Sequence, residues 1–299
     1  CLEQSHQSIQ IVVIDDGSTH KETVAALENY KNTYPTKINL YRIPNGGASL
    51  ARKHGLEQCK TDFIFFLDAD DYMENNCLDS LSDLQKEDNA DVVIGQYNII
   101  SKNNIVPGTK FKLLAGTQSV VRSFLTGDLP GTLWPNLYKK ELFENITFYN
   151  YSVGEDLVIN SQIFTKENLK VAISTDVVYN YFRHDESLTK VVSEEKTNLG
   201  YLATWKNLEI IKSKTDSAGL QFEISINKLN TLYALLVLSS NKCEEMISKL
   251  KETNKNILKA AIHTFPIPKK YIFLIALNIP FSSHLLKFVI KLLRNFKSN

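Results

Sequence analysis

Cysteine is scarce in this 299-residue chain, and what there is stands apart. Cys1, Cys59, Cys77 and Cys243 form no CxxC pair and no metal-ligand spacing, which argues against a disulfide scaffold and against zinc. Excess charge is missing as well. The 34 Lys/Arg and 33 Asp/Glu leave a net charge of +1, so there is no global case for nucleic acid as a partner. Neither a signal peptide nor a transit peptide is present. A reducing cytosol is therefore the natural setting, and a cytoplasmic location is expected. The apolar run Tyr271 to Ile279 is too short for the ~20 residues that a membrane-crossing helix needs. Internal repeats and low-complexity tracts are absent too.

What remains is an ordinary globular composition, 43% hydrophobic and 22% charged, long enough for one large domain or two. The charge is unevenly spread. Thr253 to Asn299 carries eight Lys/Arg and no Asp/Glu, which leaves the body of the chain acidic.

The most informative stretch is Phe63-Ile64-Phe65-Phe66-Leu67-Asp68-Ala69-Asp70-Asp71. Five apolar residues read as a strand buried on both faces, and it ends in three carboxylates. Two like charges at a strand end are unfavourable unless a cation holds them together. Hard oxygen ligands favour Mg²⁺ or Mn²⁺ and leave room on the ion for phosphates. The plainer alternative is a polar strand end before an acid-capped helix.

Ile9 to Ile14 reads as a second buried strand, ending in Asp15-Asp16-Gly17-Ser18-Thr19. The pattern continues with a helix over Lys21 to Tyr30, with Val24, Ala25 and Leu27 inward, and a strand over Ile38 to Ile43. A Pro44-Asn45-Gly46-Gly47 stop and a helix over Ala48 to Cys59 follow. Further on come a helix around Leu78 to Gln85, a strand over Asp91 to Ile100 and a helix over Thr117 to Leu125. Leu157 to Phe164 reads as helix, Val171 to Phe182 as strand, and helical segments follow Ser193. Such alternation predicts an α/β fold with a mostly parallel sheet, in which ligands sit beyond the carboxyl ends of the strands. Asp15/Asp16 and Asp68/Asp70 both lie at such ends and are expected to line one crevice.

The ordered set Ile11 to Thr19, Asn45-Gly46-Gly47 with Ala51-Arg52, Phe66 to Asp71, Trp134 to Lys139 and Gly154-Glu155-Asp156-Leu157 resembles the family 2 glycosyltransferases of GT-A fold. The likeness runs from Cys1 to about Lys190. It implies a GT-A-like catalytic domain over residues 1–193, with a nucleotide-sugar half to about 100 and an acceptor half beyond it. A helical C-terminal region would occupy 194–299.

It also implies an inverting transfer from a nucleotide-sugar donor, a UDP-sugar or a related one, to a saccharide or lipid-linked saccharide acceptor, with Mn²⁺ or Mg²⁺. The product would be a bacterial surface polysaccharide. By the same likeness Asp16, with Asp15 alongside, would bond the nucleobase, and the Gly46-Gly47 turn would let backbone approach the nucleotide. Arg52 would meet the diphosphate or base, or else stand as a solvent-exposed helix arginine. Asp70 would ligate the metal, with Asp68 nearer the ribose or a metal-bound water; Asp71 would cap the next helix. Asp156, beside Glu155, would be the base, unless these acids only favour a helix N-terminus. Trp134 would wall the acceptor pocket. His184 would be a third metal ligand or a phosphate donor, or purely structural.

Members of that family carry an earlier strand ending in a Pro-x-Tyr-Asn-like stretch, and this chain starts after it. An inactive nucleotide-binding or partner protein is therefore a second reading. A phosphohydrolase with an aspartate nucleophile at Asp68 is a third, although Asp71-Tyr72 stands where Gly-Thr is usual.

In the tail, Leu285 to Phe296 places Lys287, Lys291 and Arg294 on one stripe beside a broad apolar face. That suits a helix lying peripherally on the inner face of the plasma membrane, or one packed on the catalytic domain or a second subunit. Oligomeric state is left open.

Overall fold

A computed structural model of the chain describes residues 1–102, 104–183, 194–221, 223–224 and 227–228. The chain runs β1 (Ile11–Asp16), α1 (Lys21–Thr33), β2 (Ile38–Ile43), α2 (Ala48–Gln58), β3 (Phe63–Phe65), β4 (Tyr72–Met73) and α3 (Cys77–Asp88). It continues through β5 (Val92–Ser101), β6 (Asn104–Pro107), α4 (Ser119–Thr126), β7 (Asn136–Lys139), α5 (Glu155–Phe164), β8 (Val171–Phe182) and α6 (Glu194–Lys214). His184 and the basic tail lie outside the described residues.

The pairing is more mixed than the alternation of strands and helices predicts. β1 and β2 form a parallel pair by themselves, and the remaining strands form a sheet in the order β3-β7-β5-β8-β4 with β6 on the end of β5. Within that sheet β5 and β8 are parallel and the other pairings are antiparallel. The antiparallel partners are short strands of two to four residues, which need no crossover helix of their own.

β5 anchors the core. Its Val92 and Ile94 face α4, α5 and α6, whereas Val93 faces α3, so alternate residues serve the two faces of the sheet. A strand buried on both faces must be apolar throughout, which explains Val92-Val93-Ile94. α5 is enclosed from Val158 to Phe164 because α6 covers its outer side, with Ala203 and Ile210 packed on Val158 and with Leu208 and Ile211 in the core it shares with α4.

Two expectations of burial fail, for one reason. Ile11, Val12, Val13 and Ile14 are only half-buried, and in β3 only Ile64 is buried. Among the described residues β1 pairs with β2 alone and β3 with β7 alone, so each keeps a free edge. A cavity of about 440 Å³ separates those edges, lined by Ile11, Val12, Phe63, Phe65, Leu67 and Leu137 among others. α1 likewise buries no residue; Val24 and Leu27 are half-buried and Ala25 is exposed.

Candidate active site

α2 ties the acidic strand ends together. At its N-terminal side both oxygens of Asp16 accept backbone N–H bonds, Oδ1 from Gly46 and Oδ2 from Gly47, each at 2.8 Å. Gly17 makes this approach possible: its φ is +76°, and a Cβ there would stand 2.8 Å from the Asn45 backbone nitrogen. Asp15 is buried beside it, with Oδ1 accepting from Ser18 N at 2.8 Å and Oδ2 from Arg42 Nε at 2.7 Å. Burial alone would raise the Asp15 pKa, but these hydrogen bonds and the Arg42 charge outweigh it and hold it below the usual carboxylate value.

Little more than one turn into α2 stands Arg52, 14% exposed. Its Nη2 donates to Asp68 Oδ1 at 2.9 Å and its Nη1 to Glu155 Oε1 at 2.7 Å; Nη1 also lies 2.8 Å from Asp156 Oδ1. One guanidinium thus gathers the acid after β3 and the acids that open α5. Arg52 is therefore not the solvent-exposed helix arginine that one reading allowed. Burial would lower its pKa, but Asp156, Asp68 and Glu155 together hold it above the ordinary arginine value. Gly154, at φ +82°, steers the chain into α5 where a Cβ would press on Ala203 Cβ at 2.7 Å.

Asp156 is the most perturbed acid of the group. Burial pushes its pKa up to about 7, Glu155 adds to the rise, and Arg52 and the Leu133 amide oppose it. Leu133 N donates to Oδ2 at 3.2 Å. Oδ1 is covered and has no aligned hydrogen-bond donor, although the Arg52 charge is adjacent. The loop carrying Leu133 is fixed by a buried network. Asn160 Nδ2 donates to the Thr132 carbonyl at 2.8 Å, Tyr138 Oη donates to Asn160 Oδ1 at 2.8 Å, and Asn136 Nδ2 donates to Tyr138 Oη at 2.6 Å.

Asp71 does not cap α3. It is buried, accepting from Tyr179 Oη and from Phe182 N, each at 2.7 Å, and Asp68 N donates to the same Tyr179 oxygen at 3.3 Å. The acidic loop is thereby fastened to the end of β8. Burial raises the Asp71 pKa to about 6, against the lowering effect of those two donors.

Trp134 is half-buried, with Tyr179 and Tyr181 stacked near-parallel to it at 4.8 and 5.3 Å and the Tyr97 ring edge-on at 5.1 Å. Asp70 is exposed at the rim. Among the described residues no three acids, histidines or cysteines stand close enough to hold a metal by themselves. Asp68 and Asp70 still offer hard oxygens at one strand end, and the Asp68 side chain is 35% exposed. That donor chemistry fits Mg²⁺ or Mn²⁺ that takes its remaining ligands from water or phosphate.

The structure therefore joins Arg52, Asp68, Glu155 and Asp156 directly and links Asp15 and Asp16 to them through α2; Asp70 stands two residues beyond Asp68, and Trp134 follows Leu133, whose amide bonds Asp156. Sequence reasoning missed Tyr179, Tyr138 and Asn160. The one available signal was a polar residue inside an apolar run, Asn160 within Leu157 to Phe164.

The family model described as Glycosyl transferase family 2 matches residues 1–145. That match takes in nearly half of the chain and every acid of β1 and of the loop after β3. Among curated relatives of this glycosyltransferase, the cholesterol galactosyltransferase of Borreliella burgdorferi is 25% identical over 265 residues, covering 82% of this chain and 73% of its own length. The poly(ribitol-phosphate) beta-N-acetylglucosaminyltransferase TarP of Staphylococcus aureus is 24% identical over 255 residues, covering 85% of this chain and 64% of its own. In fold, the chain resembles the S. aureus TarS 1-349 structure in complex with UDP-GlcNAc. The TM-score is 0.68 at 18% identity, over 98% of this chain and 85% of that one. That these matches are all to glycosyltransferases displaces the phosphohydrolase reading. No helix among the described residues is long and apolar enough to cross a membrane.

Proposed function

We propose that this glycosyltransferase moves a sugar from a UDP-sugar to an acceptor hydroxyl with inversion, the acceptor being a saccharide or a lipid-linked saccharide. The observation that carries the reading is Asp156, which stands 2.8 Å from the Arg52 guanidinium in the acid cluster and whose pKa burial raises to about 7. A carboxyl group tuned near operating pH is what an inverting step needs of its base.

In this reading the acceptor oxygen attacks the anomeric carbon as Asp156 takes its proton, and the bond from that carbon to the diphosphate oxygen breaks. The acceptor oxygen supplies the electrons of the new bond, and the departing UDP keeps those of the old one. Arg52, itself anchored on Glu155, holds Asp156 in place. Asp16 sets the Gly46-Gly47 turn, and the second lone pair on each of its oxygens is available to a nucleobase N–H. Asp15 braces the strand end beneath it. Trp134, in its aromatic surroundings, forms a wall on the acceptor side. Asp70 and Asp68 would hold Mn²⁺ or Mg²⁺, which would neutralise charge on the departing diphosphate.

Support for a UDP-sugar donor comes from the TarS fold match, since that protein was solved with UDP-GlcNAc. The relatives act on unlike acceptors by name, a sterol and a poly(ribitol phosphate), so the acceptor rests on this chain's own pocket. Membrane-surface attachment through the basic tail would bring enzyme and lipid-linked acceptor into one plane.

A panel of UDP-sugars incubated with the full chain and Mn²⁺ tests the reading. Release of UDP from one donor, lost in Asp156→Asn, is the expected result. UDP release that survives Asp156→Asn unchanged, in transfer as in hydrolysis, would overturn the assignment of the base.

A further inference from the structure

The reading above makes the acids of the site partners of an incoming donor, yet here those acids already have a cation. Arg52 Nη2 bonds Asp68 Oδ1, and Nη1 is shared between Glu155 Oε1 and Asp156 Oδ1. The three partners come from two separate parts of the fold, the end of β3 and the start of α5. All three interactions fall within 2.9 Å and the guanidinium is 14% exposed, so this is a built ion cluster rather than a surface pair.

The cluster sets one guanidinium among three carboxyl groups, with the exposed Asp70 two residues from Asp68. A divalent cation approaching Asp68 and Asp70 meets a carboxylate whose charge is already shared with Arg52. The same guanidinium covers Asp156 Oδ1, which has no aligned donor.

We propose that Arg52 is the resident cation of the site, holding Asp68, Glu155 and Asp156 together before the donor arrives and competing directly with a divalent ion for Asp68. Loading of the ion then loosens the Arg52–Asp68 pair and frees the guanidinium fork for the diphosphate. This inference rests on the proposed metal assignment, and it gives Arg52 a positioning role that the assignment alone does not.

The test uses Mn²⁺ alone, without donor, followed by electron paramagnetic resonance on the full-length wild type, Arg52→Gln, Arg52→Lys and Asp70→Asn. Removing one positive charge beside Asp68 should tighten Mn²⁺ binding about tenfold in Arg52→Gln. Arg52→Lys keeps the charge and should stay within about threefold of wild type. Asp70→Asn should weaken binding in either background.

A second measurement needs no variant to be stable at this position. In the wild type, Mg²⁺ titration should shift the Arg52 side-chain Nε resonance. Equal Mn²⁺ affinity in wild type and Arg52→Gln, or an Nε resonance unmoved by saturating Mg²⁺, overturns the competition while leaving the metal site standing. If neither protein binds Mn²⁺, or Asp70→Asn binds as well as wild type, the metal assignment falls and the competition falls with it.

Discussion

The end of β1 and the start of α5 each present a pair of adjacent acids, and they dispose of them in opposite ways. Asp15 and Asp16 place all four oxygens on donors no more than 31 positions away: Ser18, Arg42, Gly46 and Gly47. Glu155 and Asp156 reach one guanidinium 103 and 104 positions earlier in the chain, and one Asp156 oxygen is left without an aligned donor. The first arrangement shapes a turn. The second holds charge in readiness. Neighbouring carboxylates in sequence thus say little about role; the reach and completeness of their bonding says more.

The largest test of this contrast is Asp156→Asn, for which transfer should fall about 10³-fold with donor KM little changed, as kinetics on the full chain would show. Asp70→Ala should follow, with kcat/KM falling about 10²-fold and extra Mn²⁺ unable to restore it. Third, the pH profile should show kcat/KM climbing about tenfold per unit below pH 7 and levelling above it, because Asp156 must be ionised to act as base.

The two regions should also respond oppositely to pH in stability. Asp15 has a lowered folded pKa, so its contribution is present above the unfolded value of about 3.9 and is lost as pH falls. Asp156 has a raised one, so its contribution is greatest at acid pH and drains away as pH rises from about 3.9 through about 7. Denaturant titrations between pH 5 and 8 should therefore show wild type losing stability that Asp156→Asn retains. The smallest effect belongs to the β1 side. Asp16→Ala strands two backbone donors and should cost about 2 kcal/mol in urea unfolding, with donor KM raised and kcat nearly unchanged.

Much of this was readable before any coordinates. β2 and β8 fall at Ile38–Ile43 and Val171–Phe182 as the pattern predicts, because each is a β-branched and aromatic run with clear stops. β4, β6 and β7 went unseen; two to four residues are too few for a period to register. The convergence of Asp68 with Glu155 and Asp156 followed from the family likeness, but their tether did not. Nothing in Ala51-Arg52-Lys53 distinguishes a buried clamp from an exposed helix arginine, since only the tertiary path of α2 past β3 decides it. Tyr179 was hidden for a similar reason. An aromatic in a strand looks like packing until its hydroxyl is seen to join Asp71 to the Asp68 amide.

The edges of β1 and β3 that are free among the described residues carry a dynamic consequence. A lone two-stranded pair is marginal by itself, and α1, which packs on it, buries nothing. Amide protons of β1 and β2 should therefore trade with deuterium by local opening well before those of β5 and β8, whose release requires the whole core to come apart. Part of the donor side is held on this account by α2 more than by its own strands, so occupancy of the Asp16 turn would be felt as slowed exchange throughout that unit.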